Sequence, residues 1–404
     1  MDPERLTTAF DLLRQWVGHG VLPGAAALVA RGGHIAGEAY VGLADRATGR
    51  PVTSDTIWAL ASVTKPFTAT AVMLLVERGA LSLDEPLYRL LPEFLDAPET
   101  PFDRRMVTLR HVLAHCSGLP GFSPDNLSLR RTHRPLEDFV ESFRRQPLLF
   151  EPGAAHLYSN PGIILAAECV GRSITGTLGV SVERSPIQHY HQFVHEEILA
   201  PLGMTKSSLL PPAEWSNQIA IVERTGQEGQ DWEVGNSAYF RSLGIPWGGM
   251  FSRARDLIRF VDLFLPKARG MVRAGLRAES DRFSGSLLSA AAITVMTTIQ
   301  FAPPDAAASL APDLRDVAPP DPPRASVPWG IGWEIKGGTR LHPSGDLTSA
   351  ATFSHIGSNG TLVWADPSAD VACVLLTNRN LWSGWIADRP RQALFSNAVM
   401  AAVE

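Results

Sequence analysis

In the stretch ALASVTKPFTATAVMLLVERG, residues 59–79, a serine, Ser62, stands three positions before a lysine, Lys65. Residues three apart share one face of a helix, so a hydroxyl and an amine would meet near a helix start. A serine hydroxyl is a poor nucleophile at neutral pH and needs a base, and a neutral amine can serve. Burial, neighbouring cations and the positive end of a helix all favour the neutral form of a lysine. The other lysines are Lys206, Lys267 and Lys336, while arginine is abundant. A cation kept only for solubility would be arginine in such a chain, and arginine cannot shed its proton. Pro66 fits the first helical turn, which supports a helix start here. Taken alone, S-x-x-K is also an ordinary serine cap followed by a solvated lysine.

Two further groups widen the chemistry. LYSNPG places Tyr158 and Asn160 two residues apart. A phenol beside a cation can relay a proton, and a carboxamide can hold a lysine or a substrate carbonyl. FSHIGSNGT places His355, Ile356 and Gly357 at the end of an apolar strand, where glycine lets a substrate lie against the backbone. The bland alternatives are a half-buried tyrosine and a strand-end turn. The G-x-S-x-G elbow is missing: Gly121-Phe122-Ser123-Pro124-Asp125 fails at its last position, which disfavours an α/β-hydrolase. His189, His191 and His195 cluster without an H-E-x-x-H pattern and read as a helix face, so no metal is expected.

The elements that must carry these groups are legible from periodicity and punctuation. Leu6–Val17 has helical spacing, and Ala25–Ala30 and Ile35–Val41 read as strands joined by Arg31-Gly32-Gly33-His34. Thr108–His115 and Pro161–Val170 read as short helices, and Ser252–Leu265 as an amphipathic one. Residues 301–328, crowded with proline and alanine, read as a long loop. Gly330–Lys336, Thr339–Pro343, Ala350–His355, Thr361–Ala365 and Val371–Thr377 read as strands, and Pro390–Val403 as a last helix. Strands at both chain ends with helices between predict an α/β unit built from residues 1–80 and 240–404, and a mostly helical unit over 81–239. Trp247, with the Gly248-Gly249 turn, and Trp382 and Trp385 after the last strand are candidates for an apolar pocket wall. Trp58, Trp333 and Trp364 are expected in the core.

With 404 residues, 45% hydrophobic content, 19% charged content and a net charge of −5, this is a globular composition with no basic footprint for nucleic acid or membrane surface. The start, MDPERLTTAF, has no basic region before an apolar one, and the scattered Cys116, Cys169 and Cys373 read as buried free thiols. A cytoplasmic location is expected on both counts.

Taken together, S-x-x-K at Ser62–Lys65, Y-x-N at Tyr158–Asn160 and an H-x-G variant of the K-T-G strand motif at His355–Gly357 resemble the serine β-lactamase and penicillin-binding-protein superfamily. The branch most similar holds class C β-lactamases, DD-peptidases and family VIII carboxylesterases. LRHVLAHCSGLPGF, PLGMTKS, WGGMFSRARDLIRF and IGWEI agree with it, from about Pro23 to the last strand. The resemblance implies an α+β fold: an antiparallel sheet flanked by the terminal helices, with a helical domain alongside. It implies that Ser62 is acylated, Lys65 and Tyr158 act as base and acid, and Asn160 orients Lys65 and substrate. The N–H groups of Ser62 and Ser358 would form the oxyanion hole, and no cofactor is implied.

The departure lies at His355 and Ile356, where lactam- and peptide-processing members carry the Lys and Thr that surround a substrate carboxylate. A mostly neutral imidazole and a side chain without a hydroxyl predict weaker recognition of anionic substrates. The expected activity is therefore carboxylesterase action on small esters. A β-lactamase or D-amino-acid peptidase or amidase, an acyltransferase, and a catalytically inert binding protein are the alternatives. Oligomeric state is left open.

Overall fold

The computed structural model describes residues 1–178, 184–265, 286–302, 327–339, 342–381 and 385–404. Its main sheet has seven strands: β1 (Gly24–Arg31), β2 (His34–Asp45), β3 (Arg50–Pro51), β7 (Glu334–Ile335), β8 (Phe353–Gly357), β9 (Thr361–Asp366) and β10 (Val371–Thr377). The order is β3-β2-β1-β10-β9-β8-β7, and every pairing is antiparallel. The early hairpin joins the late meander where β1 meets β10, with Ala25 opposite Thr377 and Arg31 opposite Val371. The remaining strands, β4 (Trp58–Ala59), β5 (Ser207–Ser208) and β6 (Phe251–Ser252), form a second sheet in the order β4-β6-β5.

Strand β1 reads GAAALVAR because both of its faces are covered, and such strands become continuous apolar runs. Ala25, Ala27 and Val29 face one layer, with Leu6, Phe10 and Leu13 of α1 (Pro3–Gly18) and Phe395 and Val399 of the last helix. Ala26, Leu28 and Ala30 face the larger core beneath. That core holds α2 (Lys65–Glu77), in which Lys65 through Leu75 are all buried. A helix that is apolar all round belongs inside, and this one runs through the centre of the molecule. Its side chains meet α3 (Leu109–Leu113), α4 (Leu136–Arg144), α5 (Asn160–Leu178), α6 (Pro186–Val194) and α7 (Ala254–Asp262) in the same apolar cluster.

Several expectations need correction. Of Gly330–Lys336, only Glu334–Ile335 pairs as strand. Within Thr339–Pro343, residues 340 and 341 lie outside the described residues, and His342 and Pro343 belong to a turn. Ser344 N–H donates to His342 Nδ1 and Gly345 takes φ +80°, which closes that turn and ends any extended run. The last helix, α8 (Trp385–Met400), begins before Pro390 and contains it. A proline near the helix start removes a single intrahelical bond, while Phe395 and Val399 dock the later turns on the sheet. The long loop expected at 301–328 falls almost wholly outside the described residues.

The three cysteines are free and buried. Burial pushes the Cys116 thiol up to about 12, and Cys169 and Cys373 further in the same direction. All three are therefore packing groups at neutral pH. Among the described residues, no helix is long and apolar enough to cross a membrane.

Candidate active site

Ser62 sits in a turn of 3-10 helix, Ala61–Thr64, that feeds directly into α2 at Lys65. In 3-10 geometry side chains at i and i+3 eclipse, so the spacing stacks hydroxyl and amine directly. Lys65 Nζ lies 3.0 Å from Ser62 Oγ. Lys65 is fully buried, whereas Ser62 is half-buried. The amine also donates to the Trp247 carbonyl at 2.8 Å and sits 4.6 Å from the Tyr158 ring centre. Hydroxyl, amine and phenol therefore converge, although Tyr158 is 93 residues from Lys65 in sequence.

The turn is held from outside. Ala61 has φ +50°, a left-handed conformation that costs a non-glycine residue about 1–3 kcal/mol and persists only where its surroundings impose it. Thr64 Oγ1 donates to Ala61 O at 2.6 Å and accepts Met250 N–H at 2.9 Å, while Leu60 N–H donates to Met250 O at 2.9 Å. Strands β4 and β6 thus carry the 247–250 segment to the turn. From the other side, Asn359 Nδ2 donates to Ala59 O at 3.0 Å and Thr361 Oγ1 to Leu60 O at 2.8 Å. These two bonds tie the end of β8, where Ser358 lies, to the backbone just before Ser62.

Gly357 is the residue that permits this approach. A Cβ there would come within 2.2 Å of both Leu60 O and Thr361 Oγ1. Gly357→Ala is expected to push β8 away from the Ser62 turn. Overpacking of this kind costs about 1–3 kcal/mol, and if the Ser358 N–H serves as an oxyanion donor, its displacement would cost ~10²–10³ in rate. A urea midpoint and kcat/KM for an ester measured on one preparation check both; an unchanged kcat/KM would contradict the role given to this contact.

The other sequence-predicted residues surround this group, the His355 ring lying 6.3 Å from the Tyr158 ring between centroids. Asn160 Nδ2 donates to Gly121 O at 3.0 Å, as does its backbone N–H at 3.1 Å, so these bonds anchor the start of α5. His355 is only 2% exposed, and its Nδ1 donates to Ile356 O at 3.1 Å. The Trp247 indole, 4% exposed, packs on Phe143 and Phe139 at centroid distances of 5.1 and 6.4 Å. Its backbone carbonyl reaches the site, accepting from Lys65 Nζ. Gly249 allows the 245–249 turn to close, since a Cβ would lie 2.4 Å from Ile245 N, whereas Gly248 has only ordinary contacts with Ala61. Trp382 lies outside the described residues, as does the side chain of Trp385.

His189 is buried, His191 Nε2 bonds to Gly244 O at 2.7 Å, and His195 is exposed, so the three rings do not converge. Among the described residues no group of three metal-ligating side chains is found. Sequence reasoning missed Thr64, Asn359, Thr361 and the Trp247 carbonyl. Nothing in local spacing marks them, because each acts across a long sequence separation.

An antiparallel sheet covered by the terminal helices, with a serine and lysine paired at the head of a buried helix and a tyrosine over the lysine, defines the β-lactamase and penicillin-binding-protein class of folds. Comparison with known proteins agrees. The chain belongs to the β-lactamase family, whose family model matches residues 10–396. It is 40% identical over 216 residues to esterase EstB of Burkholderia gladioli, covering 50% of this chain and 50% of that protein. The chain thus spans about half the length of that curated relative. Among solved structures it is similar to a penicillin-binding-protein homologue from Caulobacter crescentus, with TM-score 0.73 and 22% identity over 100% of this chain and 98% of that one. It is also similar to EstCE1, described as a hydrolase with promiscuous acyltransferase activity, with TM-score 0.70 and 21% identity over 98% and 99% of the two chains. At those identities the structural likeness speaks for the fold.

Proposed function

We propose that this chain is a carboxylesterase that cleaves small esters through an acyl-enzyme on Ser62. The observation that carries the reading is the 3.0 Å contact between Ser62 Oγ and a buried Lys65 Nζ, with Tyr158 against the same amine. One N–H of a neutral Lys65 amine is spent on the Trp247 carbonyl, which fixes the nitrogen so that its lone pair can accept the Ser62 proton. The serine oxygen attacks the ester carbonyl. Negative charge develops on the carbonyl oxygen, where the N–H groups of Ser62 and Ser358 would receive it. Collapse expels the alkoxide, which takes a proton through Tyr158. Water then enters, is deprotonated by the same pair, and releases the acid and free Ser62.

The choice of esters over lactams and peptides is supported by His355 and Ile356. Both are buried, at 2% and 6% exposure, and His355 spends its Nδ1 proton on a backbone carbonyl. Neither offers the ammonium and hydroxyl pair that holds a substrate carboxylate in lactam- and peptide-processing members. The likeness to an esterase over half the chain points the same way.

The test is a panel of p-nitrophenyl acetate and butyrate, a chromogenic cephalosporin, and a peptide ending in D-Ala-D-Ala. A pocket that lacks a partner for a substrate's polar group rejects that substrate by only ~10², and we expect kcat/KM for the esters to exceed the others by about that factor. A cephalosporin turned over as fast as the esters would replace this reading with a β-lactamase. Added methanol, with acid and methyl ester products counted, measures acyl transfer in the same assay.

A further inference from the structure

We infer that His115 is a positioning residue for Tyr158; the inference rests on the proton-relay role proposed above. His115 belongs to the loop after α3 and is fully buried. Its backbone carbonyl accepts the Leu157 N–H at 2.9 Å, and its ring Nδ1 accepts the Ser159 N–H at 3.1 Å. One residue therefore grips the chain on both sides of Tyr158. Its ring also lies against the tyrosine ring, with centroids 4.4 Å apart and planes inclined by 34°.

This grip is part of a longer splint. Ser159 Oγ donates to Pro120 O at 2.8 Å, and Asn160 bonds twice to Gly121 O, so residues 115–121 run alongside 157–160. His115 is itself fixed, with φ +57° and the Trp329 indole edge-on at 4.6 Å. Because Nδ1 accepts an N–H, the ring proton resides on Nε2. The residue thus supplies an acceptor and a flat face at one fixed place. Asparagine offers an acceptor at nearly the same reach and tolerates a positive φ. Leucine offers neither acceptor nor face. The phenol is held over Lys65 Nζ by this arrangement, and proton transfer needs heavy atoms within about 2.6–3.2 Å. Small displacements of Tyr158 therefore fall on the proton-transfer steps.

The experiment compares His115→Leu and His115→Asn on ethyl butyrate and p-nitrophenyl butyrate, with kcat/KM reporting acylation. Both esters donate the same acyl group. Ethoxide must be protonated as it leaves, whereas p-nitrophenolate departs without a proton. For His115→Leu we expect kcat/KM on ethyl butyrate to fall by ~10²–10³-fold, on p-nitrophenyl butyrate by about 10-fold, and KM to stay within about 3-fold. His115→Asn should recover ethyl butyrate hydrolysis at least about 10-fold over the leucine variant, while retaining a leaving-group-dependent loss.

Equal losses on both esters would mean a general packing role and would overturn the inference, as would full ethyl butyrate activity in the leucine variant. If the leucine variant does not fold, the asparagine variant decides alone: loss confined to ethyl butyrate supports the assignment, and loss equal on both esters overturns it. Fluorophosphonate labelling of the wild-type protein separates the two levels. An adduct on Ser62 keeps the acyl-enzyme reading intact whatever His115 does. No adduct would sink that reading first.

Discussion

Ser62→Ala is expected to lower hydrolysis of p-nitrophenyl butyrate by ~10⁴-fold or more, with the thermal midpoint nearly unchanged. The asymmetry follows from where Ser62 sits. The side-chain bonds that hold the turn come from Thr64, Asn359 and Thr361 rather than from Ser62 itself. Removing one oxygen therefore deletes the proposed nucleophile and leaves its scaffold. The measurement is kcat/KM alongside a fluorophosphonate adduct located by mass spectrometry. Retention of more than a hundredth of the activity would move the reaction to another residue.

Lys65→Arg should cost ~10³-fold or more in the rate of the acylation proposed at Ser62, although both residues are basic. Arginine stays protonated, so it cannot accept the serine proton. It is also planar and larger than the closed space around Lys65, which is wholly buried between Ser62, the Trp247 carbonyl and the Tyr158 ring. A guanidinium forced into that space should in addition lower the thermal midpoint, because burying a charge without a matched partner is costly. Pre-steady-state acylation with p-nitrophenyl acetate reads the first effect and a melting curve the second. If the arginine variant acylated at a tenth of the normal rate, proton abstraction by the amine would be wrong. A chain rich in arginine has kept lysine at this position, and the expected result gives the chemical reason.

Much of this arrangement is visible before any fold is known, for reasons that differ from residue to residue. The Ser62–Lys65 pairing is local, since three residues of helical backbone bring the two side chains together. The strands β1, β9 and β10 are visible because burial on both faces makes them apolar runs with clear turn residues between them. The strand expected at 339–343 cannot extend through His342 and Pro343, because Gly345 N–H bonds back to His342 O and closes a turn there. The helix start at Trp385 was hidden because a proline normally marks the first turn rather than a later one. Sequence spacing could not show that the Trp247 indole packs on Phe139 and Phe143 while its carbonyl meets Lys65.

The sequence by itself determined the family and named a candidate reactive set: a serine, an amine three residues on, a phenol, and a histidine-isoleucine pair on the strand before Ser358. Tertiary structure alone decided what holds that set in place. The Trp247 carbonyl reaches Lys65 across 182 positions, Thr361 reaches Leu60 across 301, and His115 reaches Ser159 across 44. Contacts made over such separations depend on how distant segments pack together in the folded chain. Side-chain spacing records only the part of the site that a single turn of backbone can assemble.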